Sequence, residues 1–211
     1  MSETLCFDPD WQKPEWLKNL DPAWPKTGWL EGNVVVTPDH ELVNVVRFYS
    51  PWVTEVAVRI HISADGKKLS FDPEKDFLNF PGGRHKFTIR RDPKSGDYFS
   101  LVNSQTADLN LPGSRDQRNE LTLISSKDLI AWEIKAVILR DDLPHSQESS
   151  LKNTGFQYVD WQFDGDDLIA LVRTAYDGAN NFHDSNRITF HRIGGFRRLT
   201  SPAANKRSLH V

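Results

Sequence analysis

The sequence lacks the features that identify several common protein classes. It contains one cysteine, Cys6, among 211 residues, so no disulfide can form within the chain. No apolar run approaches the ~18 residues of a membrane-spanning helix, and the N-terminus lacks the basic start and apolar stretch of a signal peptide. The formal net charge of -3 gives no electrostatic reason to expect binding to nucleic acid or to an anionic membrane.

These absences leave the cellular location undetermined, because a reducing compartment and a secreted fold without disulfides fit equally well. The sequence also lacks a glycine-rich phosphate loop, a nucleophile elbow and a zinc-protease motif, so no cofactor is expected. His183 and Asp184 have no second histidine at ligand spacing, so no metal is expected either. The sequence as a whole is 38% hydrophobic and 26% charged, the composition of an ordinary globular domain, and it contains 7 tryptophans.

Helical periodicity is scarce, and short alternating or β-branched runs take its place. Each run is bounded by Gly, Pro, Asp or Ser, as β-strands usually are. The runs are GNVVVT, LVNVVRFY, VAVRIHIS, HKFTIRR, YFSLVN, ELTLISS, WEIKAVILR, QYVDWQF, DLIALVRT and RITFHRI. These runs, without a convincing helix, predict an all-β fold.

The runs follow a repeated order of strand, acidic turn and strand. The three units are GNVVVTPDHELVNVVRF, KFTIRRDPKSGDYFSLVN and QYVDWQFDGDDLIALVRT, and each is followed by a third strand. After the first two units comes a fourth strand, around KLSFDP and WEIKAVIL. Four antiparallel strands that recur every ~50–70 residues predict the blades of a β-propeller. A β-sandwich or an irregular β fold is the alternative.

The turns between third and fourth strands agree with this interpretation. In SSKDLIAWE, we expect Asp128 to accept hydrogen bonds from the backbone amides of its own turn, and Trp132 to wedge between neighbouring strands. In ISADGKKLSF of the preceding unit, Asp65 and Phe71 take the corresponding places.

The repeats predict a partial propeller of about three to four blades. Complete propellers close with roughly four to eight blades, so the chain is a fragment, a divergent short form or a subunit that closes by association. The predicted parts are an entry segment with the outer strand of a preceding blade (1–29), blades at about 30–80, 84–140 and 155–200, a polar exposed loop (141–155) and a flexible tail (201–211).

Four stretches of the chain resemble sialidase-like proteins of the BNR-repeat superfamily. They are GWLEGNVVVTPDHELVNVVRF, FPGGRHKFTIRRDPKSGDYFSLVN, RNELTLISSKDLIAWE and GFQYVDWQFDGDDLIALVRTAYDGANNFHDSNRITFHRI. The similarity covers about residues 28–197, and 155–193 is its most specific part. It implies a propeller, often exported, whose central pocket handles carbohydrate, as in exo-sialidases and other glycoside hydrolases.

The sequence departs from that family in two respects. SSKDLIAW is similar to the blade turn of five-bladed glycosidases, and it is a degenerate form of the sialidase Asp-box, without that motif's glycine. The complete arginine triad and the tyrosine–glutamate pair of a true sialidase do not align. The implied partner is a glycan or sugar, and the missing blades imply self-association or a longer protein.

The innermost strand of each propeller blade lines the central channel, so pocket residues are expected near the starts of three strands. At the first, Trp29, Glu31 and Asn33 share one face by strand alternation. An aromatic platform, a carboxylate and an amide suit a sugar ring, which stacks through its C–H faces and hydrogen-bonds through its hydroxyls. The alternative is that Glu31 caps a turn and Trp29 belongs to the core.

At the second strand, basic residues follow two glycines that allow the backbone to approach a ligand closely. They are Arg84, His85, Lys86 and Arg90. A cation here would bind the carboxylate of a sialic or uronic acid. The alternative is a solvated basic strand edge.

At the third strand, strand alternation gives two faces: Tyr158, Asp160 and Gln162 on one, and Val159, Trp161 and Phe163 on the other. An apolar, aromatic neighbourhood would raise the pKa of Asp160 and suit it to general acid or base catalysis. Glycosidases need two carboxylates, ~5 Å apart for retention and ~6.5–9.5 Å apart for inversion. Glu31 and Asp160 are the candidate pair, with Asp177 and Asp184 as substitutes. The alternative is that Asp160 only pairs with Arg173.

The loop TAYDGANNFHDSN is unusually dense in functional side chains and is expected to supply ligand contacts at the pocket mouth. The alternative is a well-hydrogen-bonded turn. The full predicted substrate-binding set is Trp29, Asn33, Lys86, Arg90, Gln157, Tyr158, Arg173, Tyr176, Asp177, Asn181, His183 and Asp184. Two functions stay open: a glycoside hydrolase acting on a terminal sugar, or a non-catalytic carbohydrate-binding propeller.

Overall fold

A computed structural model describes residues 28–50 and 53–199, and the described chain is almost entirely β-structure. Its strands are β1 (Gly28–Val36), β2 (Leu42–Tyr49), β3 (Val56–Ile62), β4 (Leu69–Ser70), β5 (Phe77–Asn79), β6 (Ile89–Arg91), β7 (Tyr98–Val102), β8 (Glu120–Ser126), β9 (Glu133–Arg140), β10 (Gly155–Asp164), β11 (Asp167–Ala175) and β12 (Arg187–Ile193). One helix, α1 (Gln147–Asn153), and 3-10 turns at Ser114–Asp116 and Phe196–Arg198 complete the described elements. The predicted all-β fold is confirmed.

The strands form three antiparallel sheets in which neighbours in sequence are neighbours in space. The sheets have the orders β1-β2-β3-β4, with β5 also paired to β3, then β6-β7-β8-β9, and then β10-β11-β12. We call them blades 1, 2 and 3. This simple meander arises because short turns join consecutive strands; in blade 3, for example, Asp164 pairs directly with Asp167.

The first strands of the three blades lie side by side. Asn33 of β1 donates through Nδ2 to the carbonyl of Phe87 (3.1 Å) and accepts through Oδ1 from the amide of Ile89 (3.2 Å). On the other side of blade 2, Trp161 of β10 donates through Nε1 to the carbonyl of Thr88 at 3.0 Å. Four-stranded meanders that share an inner edge are the blades of a β-propeller, so the predicted partial propeller is confirmed.

Two apolar clusters fill the spaces between the blades. The cluster between blades 1 and 2 contains Val43, Val45, Ala57, Leu78, Phe80, Phe87, Ile89, Tyr98, Val102, Ile124 and Leu129. The cluster between blades 2 and 3 contains Phe99, Leu101, Leu121, Leu123, Ala136, Ile138, Leu139, Phe156, Val159, Trp161, Leu168, Ala170, Val172, Ile193 and Phe196. The predicted packing of Val159 and Trp161 between blades is therefore confirmed. Blade 2 therefore packs one face of its sheet against blade 1 and the other face against blade 3.

The turns between third and fourth strands are built as predicted. Asp128 accepts hydrogen bonds from the amides of Ile130 and Ala131, both at 2.8 Å, and the Trp132 ring packs edge-on against Phe80. In blade 1, Asp65 accepts from the hydroxyl of Ser63 at 2.6 Å and from the Lys67 amide at 3.1 Å. Phe71 packs against Trp29 with ring centroids 5.0 Å apart.

Two elements differ from the sequence prediction. The segment 141–155, predicted as an exposed loop, contains α1, which Ser146 caps by accepting a hydrogen bond from the amide of Ser149. Leu151 of α1 is fully buried. A helix this short has too few turns for an apolar stripe to repeat, and so it leaves no periodic pattern. The short strand β5 was also not predicted.

Several predictions concern residues outside the described ranges. These are the outer strand at TLCFDPDW, the tryptophan-rich segment up to residue 27, Cys6 and the tail after residue 200. In the described part of blade 3 there are three strands.

Candidate functional site

The first strands of blades 1 and 3 each contain a β-bulge near their starts. The pairing of β1 with β2 shifts register between Trp29 and Gly32, and that of β10 with β11 shifts between Gln157 and Asp160. In β10 the bulge holds Tyr158 at a positive φ of 50°. A bulge re-aims the side chains beside it, so strict alternation fails at both places.

The bulge in β1 separates three residues that were predicted to share a face. Trp29 packs with the apolar cluster on the outer side of blade 1, whereas Asn33 hydrogen-bonds blade 2 on the opposite side. Glu31, between them, forms an ion pair with Arg47 at 3.1 Å. The predicted common face of Trp29, Glu31 and Asn33 is therefore wrong, because the extra residue interrupts the alternation.

Three arginines and a histidine are buried together near the start of β10. They are Arg47, Arg84, His85 and Arg118, each at most 7% exposed. Together with Glu31 and Tyr158 they form what we call the central cluster. Arg47 donates through Nε to the carbonyl of Arg84 at 2.5 Å, which ties the end of β2 to the segment that precedes β6.

The central cluster sets the charge states of His85 and Glu31. Burial lowers the pKa of His85 well below its ordinary value, and the nearby guanidinium groups of Arg118, Arg47 and Arg84 lower it further. Partial burial raises the pKa of Glu31, but hydrogen bonding and the charges of Arg47 and Lys86 outweigh it, and the net shift is downward. His85 is therefore neutral and Glu31 is ionised at neutral pH.

Two polar atoms of the central cluster are buried without a hydrogen-bond partner among the described residues. They are Nδ1 of His85 and Nε of Arg118. Buried polar groups are nearly always satisfied, and one left without a partner costs ~1–3 kcal/mol. A polar ligand that reached these atoms would supply the missing hydrogen-bond partner.

Arg118 is held on its other side by residues of blade 3. It donates to the side-chain oxygen of Gln157, whose Nε2 donates to the carbonyls of Phe182 (2.6 Å) and His183 (3.1 Å). The Arg118 guanidinium lies 5.7 Å from the centre of the Tyr158 ring. Arg173 covers the same ring at 5.2 Å. Gln157, Tyr158, Arg173 and His183 of the predicted set thus meet at one place.

A cleft of about 350 Å³ opens beside the central cluster. Its lining includes Tyr49, Arg84, Leu109, Leu111, Arg115 and Asp116. The Arg84 guanidinium lies 4.5 Å from the centre of the Tyr49 ring and 3.0 Å from the Asp116 carboxylate. An aromatic face beside charged hydrogen-bonding groups can hold a small polar ligand with apolar C–H surfaces.

Asp160 lies apart from the central cluster. It accepts a hydrogen bond from Arg90 at 2.9 Å, and Arg90 also donates to the carbonyl of Trp161 at 2.6 Å. The predicted alternative partner, Arg173, instead donates to the carbonyl of His183 at 2.7 Å. Asp160 shares its side of the sheet with Gln162, and both line a shallow cleft with Leu171. Tyr158 lies at the bulge, where Arg173 covers its ring, so strict alternation does not apply to it.

The loop between β11 and β12 is held by its own side chains, as the structural alternative proposed. Asn181 accepts from the amides of His183 (2.8 Å) and Asp184 (3.0 Å) and donates to the Asp184 carboxylate (2.7 Å). Asn186 donates to the carbonyl of Tyr176 at 2.8 Å. Asp177 lies at a positive φ of 37° in the same loop.

The sequence did not single out Arg47, Tyr49, Asp116 and Arg118. Arg47 and Tyr49 belong to the second strand of blade 1, where attention to first strands misses them. Asp116 and Arg118 lie in the long stretch between β7 and β8, which has no periodic pattern.

Within residues 28–50 and 53–199, no group of three or more His, Cys, Asp or Glu side chains is arranged to hold a metal ion. Of the helices formed by these residues, none has the length and apolar character needed to cross a membrane.

Comparison with known proteins gives structural likenesses only. No protein-family model matches the sequence, and no curated protein matches it. The structure is similar to an α-L-arabinanase of Penicillium chrysogenum in complex with arabinobiose, with a TM-score of 0.52 and 14% identity over 80% of this chain. It is also similar to the GH93 α-L-arabinofuranosidase of Fusarium graminearum in complex with arabinobiose, with a TM-score of 0.50 and 14% identity over 80% of this chain.

These likenesses show the propeller fold. Both of these similar proteins are propeller glycoside hydrolases that act on arabinose-containing glycans, and neither is a sialidase, so the likenesses support the glycoside-hydrolase resemblance and not its sialidase part. The chain spans less than half of the arabinanase, 46% of that structure's length.

Proposed function

We propose that this chain is part of a carbohydrate-active propeller that binds a terminal acidic sugar of a glycan at the central cluster. The observation that carries the proposal is the buried cationic cluster with two unpartnered polar atoms, on Arg118 and His85, beside an aromatic cleft. Structural likeness to arabinose-processing propellers supports carbohydrate as the ligand class. The excess of buried positive charge supports an acidic sugar.

The charge argument depends on which cations already have a carboxylate. Glu31 pairs with Arg47, and Asp116 pairs with Arg84. Within the described chain, Arg118 donates to the Gln157 amide, hydrogen-bonds the Tyr158 side chain and lies over the rings of Tyr158 and Phe182. The Asp116 carboxylate acts on it electrostatically but is already paired with Arg84. A buried guanidinium is costly without an anion, and its planar fork matches a carboxylate. The carboxylate of a uronic or sialic acid would supply that anion.

We propose hydrolysis of the terminal glycosidic bond, in the manner of a sialidase-like enzyme, as the reaction. Glu31 is the best-placed carboxylate, because it lies in the central cluster and is ionised. Asp160 remains the predicted second carboxylate of the pair, held by Arg90. With the glycosidic bond between them, one protonated carboxyl group would donate its proton to the leaving oxygen. At ~6.5–9.5 Å the other would activate a water for inversion, and at ~5 Å it would attack the sugar itself to form a glycosyl-enzyme that water then hydrolyses with retention.

The second candidate is a non-catalytic binding propeller. It is favoured by the position of Asp160, which lines a cleft with Leu171 and Phe190 rather than with the residues of the central cluster. Binding without hydrolysis would then need the cations and the aromatic cleft but no acid pair.

The test is a panel of sialosides, uronides and neutral glycosides, measured for hydrolysis and for binding. Arg118→Met should weaken binding of acidic sugars at least tenfold and leave neutral sugars unchanged, with Arg192→Met on the outer hairpin as the matched control. Loss of hydrolysis in both Glu31→Gln and Asp160→Asn would support the acid pair. Saturable binding without any hydrolysis would favour the second candidate. Absence of binding to every sugar would overturn the proposal.

A further inference from the structure

A loop of blade 2 forms one wall of the cleft beside the central cluster, and a buried side chain closes this loop. The wall loop, residues 105–117, lies between β7 and β8. Gln117 at its end is 2% exposed and accepts through Oε1 from the amides of Thr106 (2.9 Å) and Ala107 (2.8 Å) near its start. Its Nε2 donates to the Thr106 hydroxyl at 2.7 Å. These bonds hold the wall in place before a ligand arrives, so binding to it orders few further groups.

The wall loop contributes two leucines and a serine to the cleft. Leu109, Leu111 and Ser114 all line it. Leu109 is 45% exposed, whereas Ser114 is 1% exposed and its Oγ has no hydrogen-bond partner among the described residues. Buried hydroxyl groups nearly always have such a partner. A ligand with both C–H surface and hydroxyl groups would cover the leucines and supply the missing hydrogen bond.

The cleft also contains an aromatic ring that a cation restrains. The Arg84 guanidinium lies 4.5 Å from the centre of the Tyr49 ring, and Arg84 is itself only 4% exposed. Contact with a buried guanidinium stabilises one orientation of the ring. A restrained ring beside leucines offers a surface on which the C–H face of a sugar packs.

The arginines of the cleft are already engaged, whereas Arg118 of the central cluster has no carboxylate of its own. Arg84 donates through Nε and Nη2 to Asp116 at 3.3 and 3.0 Å, and through Nη1 to the carbonyl of Ser50. Arg115, the other arginine of the lining, has an interaction of its own. Among the described residues no carboxylate pairs with Arg118, since Asp116, which acts on it electrostatically, is bonded to Arg84. The cleft therefore suits a neutral group, and the central cluster suits an acidic one.

We propose that the cleft is a second subsite, which binds a neutral sugar unit linked to the acidic sugar at the central cluster. This inference deepens the function proposed above and rests on it. Arg84 belongs to the central cluster and also lines the cleft, so the two subsites adjoin. The cleft volume of about 350 Å³ lies within the range of small-ligand sites. The preferred ligand is then a glycan end in which an acidic unit is attached to a neutral one.

The test is calorimetric titration of the full chain with two matched pairs of sugars. Each pair compares the methyl glycoside of an acidic sugar, glucuronic or sialic acid, with the disaccharide in which the same acid is linked to galactose. In at least one pair the disaccharide should bind about tenfold more tightly or better. Ser114→Ala should reduce this ratio about three- to tenfold, the effect of one hydrogen bond. Its melting temperature should not fall, because the hydroxyl has no partner in the chain to lose.

A second variant tests the apolar part of the wall loop against a matched control. Leu109→Ser should also reduce the ratio, whereas Leu69→Ser should leave it unchanged. Both leucines are 45% exposed, but Leu69 lies in β4, the last strand in the order of blade 1. The ratio is taken within one variant, so a general loss of folded protein does not alter it.

The possible failures separate this inference from the proposed function. Equal binding of methyl glycoside and disaccharide in both pairs would overturn the second subsite and leave the acidic-sugar proposal standing. A cyclohexyl glycoside of the same acid, whose aglycone has no hydroxyl group, should gain less than the galactose disaccharide; an equal gain would overturn the assignment of a sugar to the cleft. Failure of every acidic sugar to bind would overturn both proposals.

Discussion

Arg197 joins the end of blade 3 to blade 2, and its replacement by alanine should lower the free energy of unfolding by about 3 kcal/mol. Its Nε and Nη2 lie 2.6 and 2.7 Å from the two carboxylate oxygens of Asp92. Asp92 is fully buried in the turn between β6 and β7, whereas the Arg197 side chain is 20% exposed. Breaking such a pair leaves a buried carboxylate without its counter-charge.

The expected loss of stability depends on the hydrogen bonds that Asp92 keeps in the variant. Removing one partner of a buried ion pair costs ~3–5 kcal/mol. Asp92 still accepts hydrogen bonds from the hydroxyl of Ser95 at 2.8 Å and from the amides of Lys94 and Ser95 at 3.2 Å. The cost is therefore expected at the lower end of that range.

The assay is urea unfolding at pH 7 and fixed protein concentration, with Arg192→Ala as the control. Arg192 pairs with Asp164 and Asp167 but is 49% exposed, so its loss should cost less than ~1 kcal/mol. An Arg197→Ala cost equal to the Arg192→Ala cost would refute the reasoning.

A pH series tests the same pair in a second way. Hydrogen bonding to Arg197, followed by Ser95 and the turn amides, holds the pKa of Asp92 well below its ordinary value. A depressed carboxyl pKa stabilises the fold above the unfolded value of ~3.9, and the stability is lost as pH falls through the folded value. The difference between wild type and Arg197→Ala should narrow below about pH 4. A difference that stays constant down to pH 2 would contradict the assignment.

Three further predictions concern the backbone and the buried polar groups. Gly83→Ala should lower the melting temperature by more than ~10 °C, because a Cβ there would lie 2.2 Å from the carbonyl oxygen of Val56. The control Gly194→Ala should leave the melting temperature nearly unchanged. Equal shifts of the two variants in calorimetry would contradict this. His85 should remain neutral in ¹⁵N NMR spectra down to pH 5, because burial and three arginines lower its pKa. The free energy of unfolding should fall as pH drops below ~6.5, because the unfolded histidine then gains a proton that the folded one does not. An imidazolium signal at pH 6 would refute this. Burial and, after it, a hydrogen bond to Asp142 raise the pKa of Tyr176 to about 12. In Asp142→Asn the midpoint of its ultraviolet titration should fall toward 10 but stay above it, because the part due to burial remains.

Much of the fold follows from local pattern. Alternating runs predict strands because one face of each is buried between blades, as with Trp161 and Val159 in β10. Acidic turns such as DGDD predict hairpins because their backbone needs residues that tolerate tight conformations, and Gly165 lies at a positive φ of 63°. These constraints act within a few residues, so a single sequence records them.

The candidate site follows from the sequence less well. Its residues come together through long-range packing, as when Arg118 meets Gln157 and Tyr158 across two blades. Strand alternation also places side chains wrongly wherever a bulge adds one residue, as at Glu31. A bulge changes the count of residues by one without changing their polarity, so the hydrophobic pattern does not reveal it.

The two bulges also bear on how this protein can change over generations. Each separates the first residues of an innermost strand from the remainder, which carries the packing between blades. Loss or gain of one residue at Tyr158 would re-aim the side chains at the mouth of the channel while Trp161 kept its place in the core. The bulges are therefore points where one residue can be gained or lost without disturbing the packing between blades.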